Sequence, residues 1–423
     1  MQKLVIIGNG IAGITTAIEV RKRSSMDILV ISEETEFFFS RTALMYVYMG
    51  HMKFEHTQPY EKNFWDKNNI ALKKATIEHV FASKNYIQTT DNEKISYDFL
   101  VLATGSKPNK FGWPGQDLKG VSGLYHKSDL DSLIQNSDKI NKGVVVGGGL
   151  IGIELAEMLR SRKKEVSFLV REDAFWNMVL SNQEAKIIEN HIVAHGVDLQ
   201  MQTELKEIVG DQSGSVKNVI TSKNEELEAQ FVGLTVGVSP NIAFLAESEI
   251  VTNRGVLVNK YLETNVQNVF AIGDCAEQTQ PQFGRSSIDA VWYTGKIMGE
   301  TLAKTICGPK TPYQPGNWFN SAKFFDIEYQ TYGLAPSKIS QDQGEIYWQN
   351  SQGNKSIRLV YELSNGTFTG VNVLGIRLRQ SFFEKVFNQK LDIQYVLDHL
   401  EDANFDPEFY KNHLREIKTL SLS

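Results

Sequence analysis

Apolar residues fall in short runs along the chain, and several of these runs stop at clusters of small residues. Leu4 to Ile7 lead into Gly8, Asn9, Gly10, Ile11, Ala12 and Gly13, and Ile14 to Val20 follow at helical period. That pattern predicts a strand, a tight turn and a helix. A basic stretch, Arg21 to Arg23, separates it from a second strand at Asp27 to Ile31. Residues 54–69, with Phe54, Tyr60, Phe64 and Trp65, read as helical in part and are expected to cover a pocket. Short strands are expected around Ala75 to Val80 and Tyr86 to Thr89. A buried parallel strand then ends at Ala103, Thr104 and Gly105. Trp113, Pro114 and Gly115 punctuate the chain and place a domain boundary near residue 112.

The next segment repeats the first. Lys142 to Val146, then Gly147, Gly148, Gly149, Leu150, Ile151 and Gly152, then Ile153 to Glu157 again read as strand, GxGxxG and helix. A strand at Val166 to Val170 runs into Arg171 and Glu172, and a strand from Phe231 to Val238 carries Gly237 near its end. Thr264 to Asp274 reads as a strand ending in Gly273 and Asp274, and residues 289–304 as a helix. From about Pro312 the pattern changes. Trp318-Phe319, Phe324-Phe325, Tyr347-Trp348, Ile357 to Tyr361 and Phe368 to Leu374 alternate as in an antiparallel sheet, with helices from Gln380 onward.

A GxGxxG between strand and helix has a physical reading. Gly8 makes the turn, Gly10 leaves room for a pyrophosphate at the helix amides, and Gly13 lets the helix pack close on the strand. Glu33 stands 20 residues past Gly13, where an acid can accept from adenosine ribose hydroxyls. Arg41 reads either as a surface charge or as a phosphate ligand. Asp274 reads either as a helix cap or as part of a nucleotide site. Two such fingerprints in one chain predict an α/β protein with two Rossmann-like dinucleotide-binding domains. A domain boundary is expected near 112, and residues 312–423 are expected to form a third domain of α+β type.

Composition narrows the class. The chain has 423 residues, 41% hydrophobic and 22% charged, enough for a large core split among domains. A net charge of −6 gives no general footprint for nucleic acid or an anionic membrane. No apolar run is long enough to span a bilayer. Two cysteines, Cys275 and Cys307, are too few for a disulfide framework, and a cytoplasmic location is expected. The eight histidines, including His51, His56 and His195, read as surface or packed residues, and no metal site is expected.

With both fingerprints, the Ala103-Thr104-Gly105 end and the Gly273-Asp274 end, residues 1–310 resemble the two-dinucleotide-binding flavoproteins of the pyridine nucleotide:disulfide oxidoreductase family. The resemblance implies FAD on a discontinuous first domain, 1–112 with 245–311, NADPH or NADH on the second, 113–244, and a C-terminal interface or dimerisation domain, 312–423. It implies that Glu33 holds the adenosine ribose and Arg41 the pyrophosphate, with Glu34 among the cofactor-binding residues. Ala103, Thr104 and Gly105 would lie against FAD, and Asp274 would bind its ribityl chain or phosphate. Ile77 and Gly237 are placed at the cofactors on the same basis, and Glu154 close to flavin and nicotinamide. The segment from Ser32 to Leu44 looks like that of ferredoxin and rubredoxin reductases and of apoptosis-inducing factor. There an arginine precedes two prolines, a leucine, a serine and a lysine; here Thr42 and Ala43 replace the prolines and Tyr46 the lysine. Trp318-Phe319-Asn320-Ser321 likewise resembles their Trp-Phe-Trp-Ser.

The implied activity is hydride transfer from NAD(P)H to flavin, then electron transfer to a protein carrier or small molecule, which needs geometry more than side-chain chemistry. A disulfide- or peroxide-reducing enzyme of the coenzyme A disulfide reductase or NADH oxidase kind would carry a cysteine near Thr42, which is not one. A third reading is a flavoprotein whose main role is interaction, like apoptosis-inducing factor, using Arg377, Arg379 and helix 380–389 as a partner or dimer surface. For the nicotinamide cofactor, Arg171 resembles the arginine that pairs a 2′-phosphate in glutathione reductase-like enzymes, which favours NADPH. Arg171 as a solvated charge, with Glu172 turned to the ribose, is the alternative.

Overall fold

The computed structural model describes residues 1–405 together with 413, 416 and 417. The chain forms two compact units: residues 1–109, 125–132 and 238–315, and residues 110–124, 133–237 and 316–423.

The first unit is built on a five-stranded parallel sheet in the order Val269–Ala271, Phe99–Leu102, Lys3–Ile7, Asp27–Ser32, Ile70–Lys74. Leu4, Val5, Leu100 and Val101 are fully buried, as expected of strands covered on both faces and written as unbroken apolar runs. Helix Ile11–Arg21 lies against helix Trp292–Cys307. Glycine makes that approach feasible, because a Cβ on Gly299 would stand 2.7 Å from the Ala12 carbonyl oxygen. A three-stranded antiparallel sheet, Ile77–Phe81, Tyr86–Thr89 and Lys94–Ser96, joins the same unit.

The second unit contains a five-stranded parallel sheet in the order Val197–Met201, Glu165–Val170, Lys142–Val146, Phe231–Leu234, Val121–Ser122. It also contains the antiparallel sheet Phe319–Phe324, Ile327–Gly333, Phe368–Leu374, Ser356–Glu362, Gln343–Gln349, followed by helices Gln380–Asn388 and Ile393–His399. Inside this unit Arg358 and Glu184, both side chains fully buried, pair at 3.0 Å. Arg358 also donates to the Ala335 and Pro336 carbonyls.

Two strands are shorter than their apolar runs. The run from Phe231 stops as a strand at Leu234, and Gly237, at φ +88°, turns the chain before Val238–Pro240 pairs with Ser106–Pro108. The run from Thr264 becomes a strand only at Val269, after Asn268 adopts φ +63°. Residues 54–69 hold a 3-10 turn, Phe54–Thr57, and a short helix, Asn63–Lys67. Among the described residues, no helix is long and apolar enough to cross a membrane.

Candidate dinucleotide sites

In each unit the strand order reverses direction beside the fingerprint strand, and such a switch point opens a crevice at the strands' carboxyl ends. In the first unit the crevice lies between Lys3–Ile7 and Phe99–Leu102, and in the second between Lys142–Val146 and Phe231–Leu234. Gly8 and Gly147 occupy corresponding places, at φ +111° and +110°. A Cβ on Gly8 would stand 2.0 Å from the Ala103 oxygen, and one on Gly147 would stand 2.6 Å from the Thr235 oxygen. Gly13 and Gly152 are equally closed, with a Cβ falling 2.1 Å from the Gly8 oxygen and 2.2 Å from the Gly147 oxygen.

The middle glycines differ. A Cβ on Gly10 or Gly149 would meet no atom within 4 Å. Each is the N-cap of its helix, Ile11–Arg21 or Leu150–Ser161, and neither makes a side-chain cap. A helix leaves its first amides without intrahelical partners, so Ile11, Ala12 and Gly13 in one unit and Leu150, Ile151 and Gly152 in the other present N–H groups and the positive helix end. By contrast, helix Asn182–Ala194 is closed by a full capping box of Ser181 and Glu184. Two open helix ends, each fronted by a glycine with free space, fit a pyrophosphate.

Around the first crevice the structure gathers several charged groups. Arg41 pairs with Glu34 at 2.6 Å, donates to the Tyr125 carbonyl and lies over the Tyr125 ring, 4.5 Å from its centroid. Burial works to raise the Glu34 carboxyl, but hydrogen bonding from His126 and pairing with Arg41 outweigh it and hold the group at about 2. Glu34 also accepts from the Lys127 amide at 2.6 Å. Glu33 is exposed, so the contacts at this strand end belong to its neighbour. Ala103 closes the sheet through its amide to the Ile7 oxygen at 2.8 Å, Thr104 donates to the Asn241 carbonyl, and Gly105 sits at φ +66°. Asp274, in a 3-10 turn that begins at Gly273, accepts from the Ser106 hydroxyl at 3.2 Å. Burial pushes its carboxyl up despite that bond and the charge of Arg41. Ile77 is a core residue of the unit.

In the second unit Val170 ends its strand fully buried, while the Arg171 side chain is 71% exposed and pairs with Glu172 at 3.0 Å. Glu154 and Glu157 lie one turn apart on helix Leu150–Ser161. Burial, aided by the Glu157 carboxylate, pushes the Glu154 carboxyl up to about 7. Burial also raises Glu157, against the pull of Lys323 at 3.1 Å.

Cys275 is wholly buried, its thiol donating to the Leu102 and Ile272 carbonyls, and burial pushes the thiol up. Neither it nor Cys307 is in a disulfide. Tyr125 and His126 escape the sequence reading because they sit in a loop that carries no motif, and Ser106 because it opens a short strand just past the Ala103-Thr104-Gly105 end. Thr235, whose hydroxyl donates to the Val146 carbonyl at 2.8 Å, follows an apolar run and could have been found as the counterpart of Ala103.

The family described as pyridine nucleotide-disulphide oxidoreductase matches residues 2–291. Among curated proteins, the chain is 30% identical over 336 residues to a nitrite reductase [NAD(P)H] of Bacillus subtilis, covering 78% of this chain and 41% of that protein. It is 28% identical to a ferredoxin–NAD(P)(+) reductase of a Sphingomonas species, covering 78% of this chain and 81% of that protein. The chain thus spans about two fifths of the first relative's length. Among solved structures, a ferredoxin reductase from Rhodopseudomonas palustris superposes with a TM-score of 0.83 at 21% identity, covering 99% of this chain and 100% of that one.

Proposed function

Because the chain belongs to the pyridine nucleotide-disulphide oxidoreductase family, we propose that it is an FAD-dependent NAD(P)H oxidoreductase that works without a redox-active cysteine. The observation that carries this reading is the paired geometry of the two fingerprints, closed at the outer glycines and open at Gly10 and Gly149. In the proposal, domain 1–112 with 245–311 holds FAD, domain 113–244 holds the nicotinamide cofactor, and 312–423 serves as an interface.

The amides of Ile11, Ala12 and Gly13 hold the FAD pyrophosphate, with Arg41 as counter-charge. Glu33 and Glu34 serve the ribose, Ala103 to Gly105 and Ile77 line the flavin, and Asp274 binds the ribityl or phosphate part. When bound, flavin supplies the capacity to accept hydride from a reduced nicotinamide and release electrons to an acceptor. The chain's own part is positioning. Ser106 orients the Asp274 carboxylate through its Oδ2, and the Arg41–Glu34 pair keeps the guanidinium in place beside Tyr125. The Leu150 to Gly152 amides hold the second pyrophosphate, Gly237 borders it, and Arg171 pairs a 2′-phosphate, which makes NADPH the preferred donor. Glu154 stands near the nicotinamide. A thiol as buried as that of Cys275 cannot meet a disulfide substrate, which favours an acceptor reached directly. The relative named for ferredoxin supports a small redox protein as that acceptor.

The test is stopped-flow reduction of the purified protein by NADPH and NADH, then a screen of reoxidants including ferredoxins. Yellow protein reduced on mixing, with lower flavin occupancy in Asp274→Ala, is the expected result. Protein that lacks flavin absorbance and cannot be reconstituted with FAD refutes the proposal.

A further inference from the structure

The fold gathers histidines that read individually as surface or packed residues. His191 and His195 stand four residues apart at the end of helix Asn182–Ala194, a spacing that puts both rings on one face. Their ring centroids are 4.4 Å apart. Asp326 reaches them from the tight turn between strands Phe319–Phe324 and Ile327–Gly333. Its Oδ1 touches His191 Nε2 and lies 3.5 Å from His195 Nε2. One donor atom from each of the three residues lies within 4.8 Å of the other two.

Several features go beyond a chance cluster. His195 Nδ1 lies 2.9 Å from the His191 carbonyl, so in the neutral ring Nδ1 carries the proton and Nε2, on the Asp326 side, is the nitrogen open to a metal. Metal-binding histidines are oriented in this way, by giving the second ring nitrogen to a backbone carbonyl. Phe325 stacks on the His195 ring at 4.3 Å and 22°. Phe325 itself is held at φ +55°, a costly conformation for an aromatic residue, and this is the turn that presents Asp326. The helix C-terminus adds a favourable field for a cation.

We propose that His191, His195 and Asp326 form a Zn²⁺ site that ties the end of helix Asn182–Ala194 to the Phe325–Asp326 turn. Two imidazoles and one carboxylate suit Zn²⁺ in tetrahedral geometry, with a water in the fourth position, once the exposed Asp326 side chain turns from its direct contact with His191 Nε2 to admit the ion. None of the three side chains belongs to the two dinucleotide cradles.

The test uses the full chain, freed of metal by a chelator and titrated with ZnCl₂ by calorimetry, with CoCl₂ absorption as a second probe of geometry. One Zn²⁺ per chain is expected, with a tetrahedral Co²⁺ spectrum. Affinity should fall about tenfold or more in His195→Ala and in Asp326→Asn, the second an exposed change that spares the helix. Far-ultraviolet circular dichroism should be unchanged in both. Absence of saturable binding, or equal affinity in the wild type and Asp326→Asn, overturns the proposal and leaves the three side chains as a hydrogen-bonded latch.

Discussion

Glu154→Gln offers a direct test of the electrostatics of the second fingerprint helix. The glutamate carboxyl ordinarily titrates near 4.5, and here burial and then the Glu157 carboxylate push it up to about 7. At about 1.36 kcal/mol per unit, that rise corresponds to an upper bound of about 3 kcal/mol. Glu154 keeps part of its surface in solvent, so a working figure is about 1–2 kcal/mol. The sign follows from linkage. Below pH ~4.5 the group is protonated in both folded and unfolded chains and costs nothing. Between ~4.5 and ~7 the unfolded chain ionises first, so the folded chain loses stability as pH rises through that window. Glutamine cannot ionise and escapes the loss. Urea unfolding at about pH 5 and about pH 8 should therefore show Glu154→Gln gaining about 1–2 kcal/mol on the wild type over that interval. Removing the neighbouring charge, as in Glu157→Gln, should lower the Glu154 midpoint. Parallel stability curves for wild type and Glu154→Gln across this range would refute the argument.

Three further outcomes are expected. Gly10→Ala should change the thermal stability of flavin-free protein by less than about 1 kcal/mol while weakening flavin binding, whereas Gly13→Ala, driven against the Gly8 oxygen, should cost about 1–3 kcal/mol or more in stability. Equal effects of the two on unfolding would contradict the open and closed assignment. Steady-state kinetics should show kcat/KM for NADPH exceeding that for NADH by about tenfold, with Arg171→Ala losing most of the preference, since a charge-assisted contact is worth about 1.5–3 kcal/mol. A wild type that prefers NADH would instead assign the ribose to Glu172. Replacing Cys275 and Cys307 together by serine should leave NAD(P)H-dependent ferricyanide reduction intact; loss of turnover with flavin retained would show a thiol role.

Both parallel sheets are legible in the sequence because strands covered on two faces must be written as continuous apolar runs, and Leu4 to Ile7 and Val144 to Val146 are such runs. The glycine spacing is legible for a similar reason: at Gly8, Gly13, Gly147 and Gly152 a side chain would collide with backbone, so little else is tolerated. Strand ends are less legible. Apolarity continues to Val238, but after the Thr235 amide bonds the Val146 carbonyl the pairing with Lys142–Val146 stops, and only Gly237 hints at the turn. Contacts between segments distant in sequence are not legible at all. Tyr125 under Arg41 and Ser106 on Asp274 depend on where the chain returns, which no local pattern records. The His191–His195 spacing is visible in the sequence, but its meaning depends on Asp326, which lies on a hairpin more than a hundred residues away.

The buried pairing of Arg358 with Glu184 bears on how such a chain can be cut or recombined. Glu184 belongs to the part of its unit built on the parallel sheet and Arg358 to the antiparallel sheet, yet the two fully buried side chains pair, with Glu345 as Arg358's second carboxylate. Deleting the arginine of such a pair strands the buried glutamate, at a cost of about 3–5 kcal/mol. A chimera that exchanges residues 316–423 for those of a relative must therefore bring its own arginine to this place or carry a neutral residue at 184. The helix bearing Glu184 also ends at His191 and His195, so a graft that leaves it unpaired would disturb the reach of that helix toward Asp326 as well.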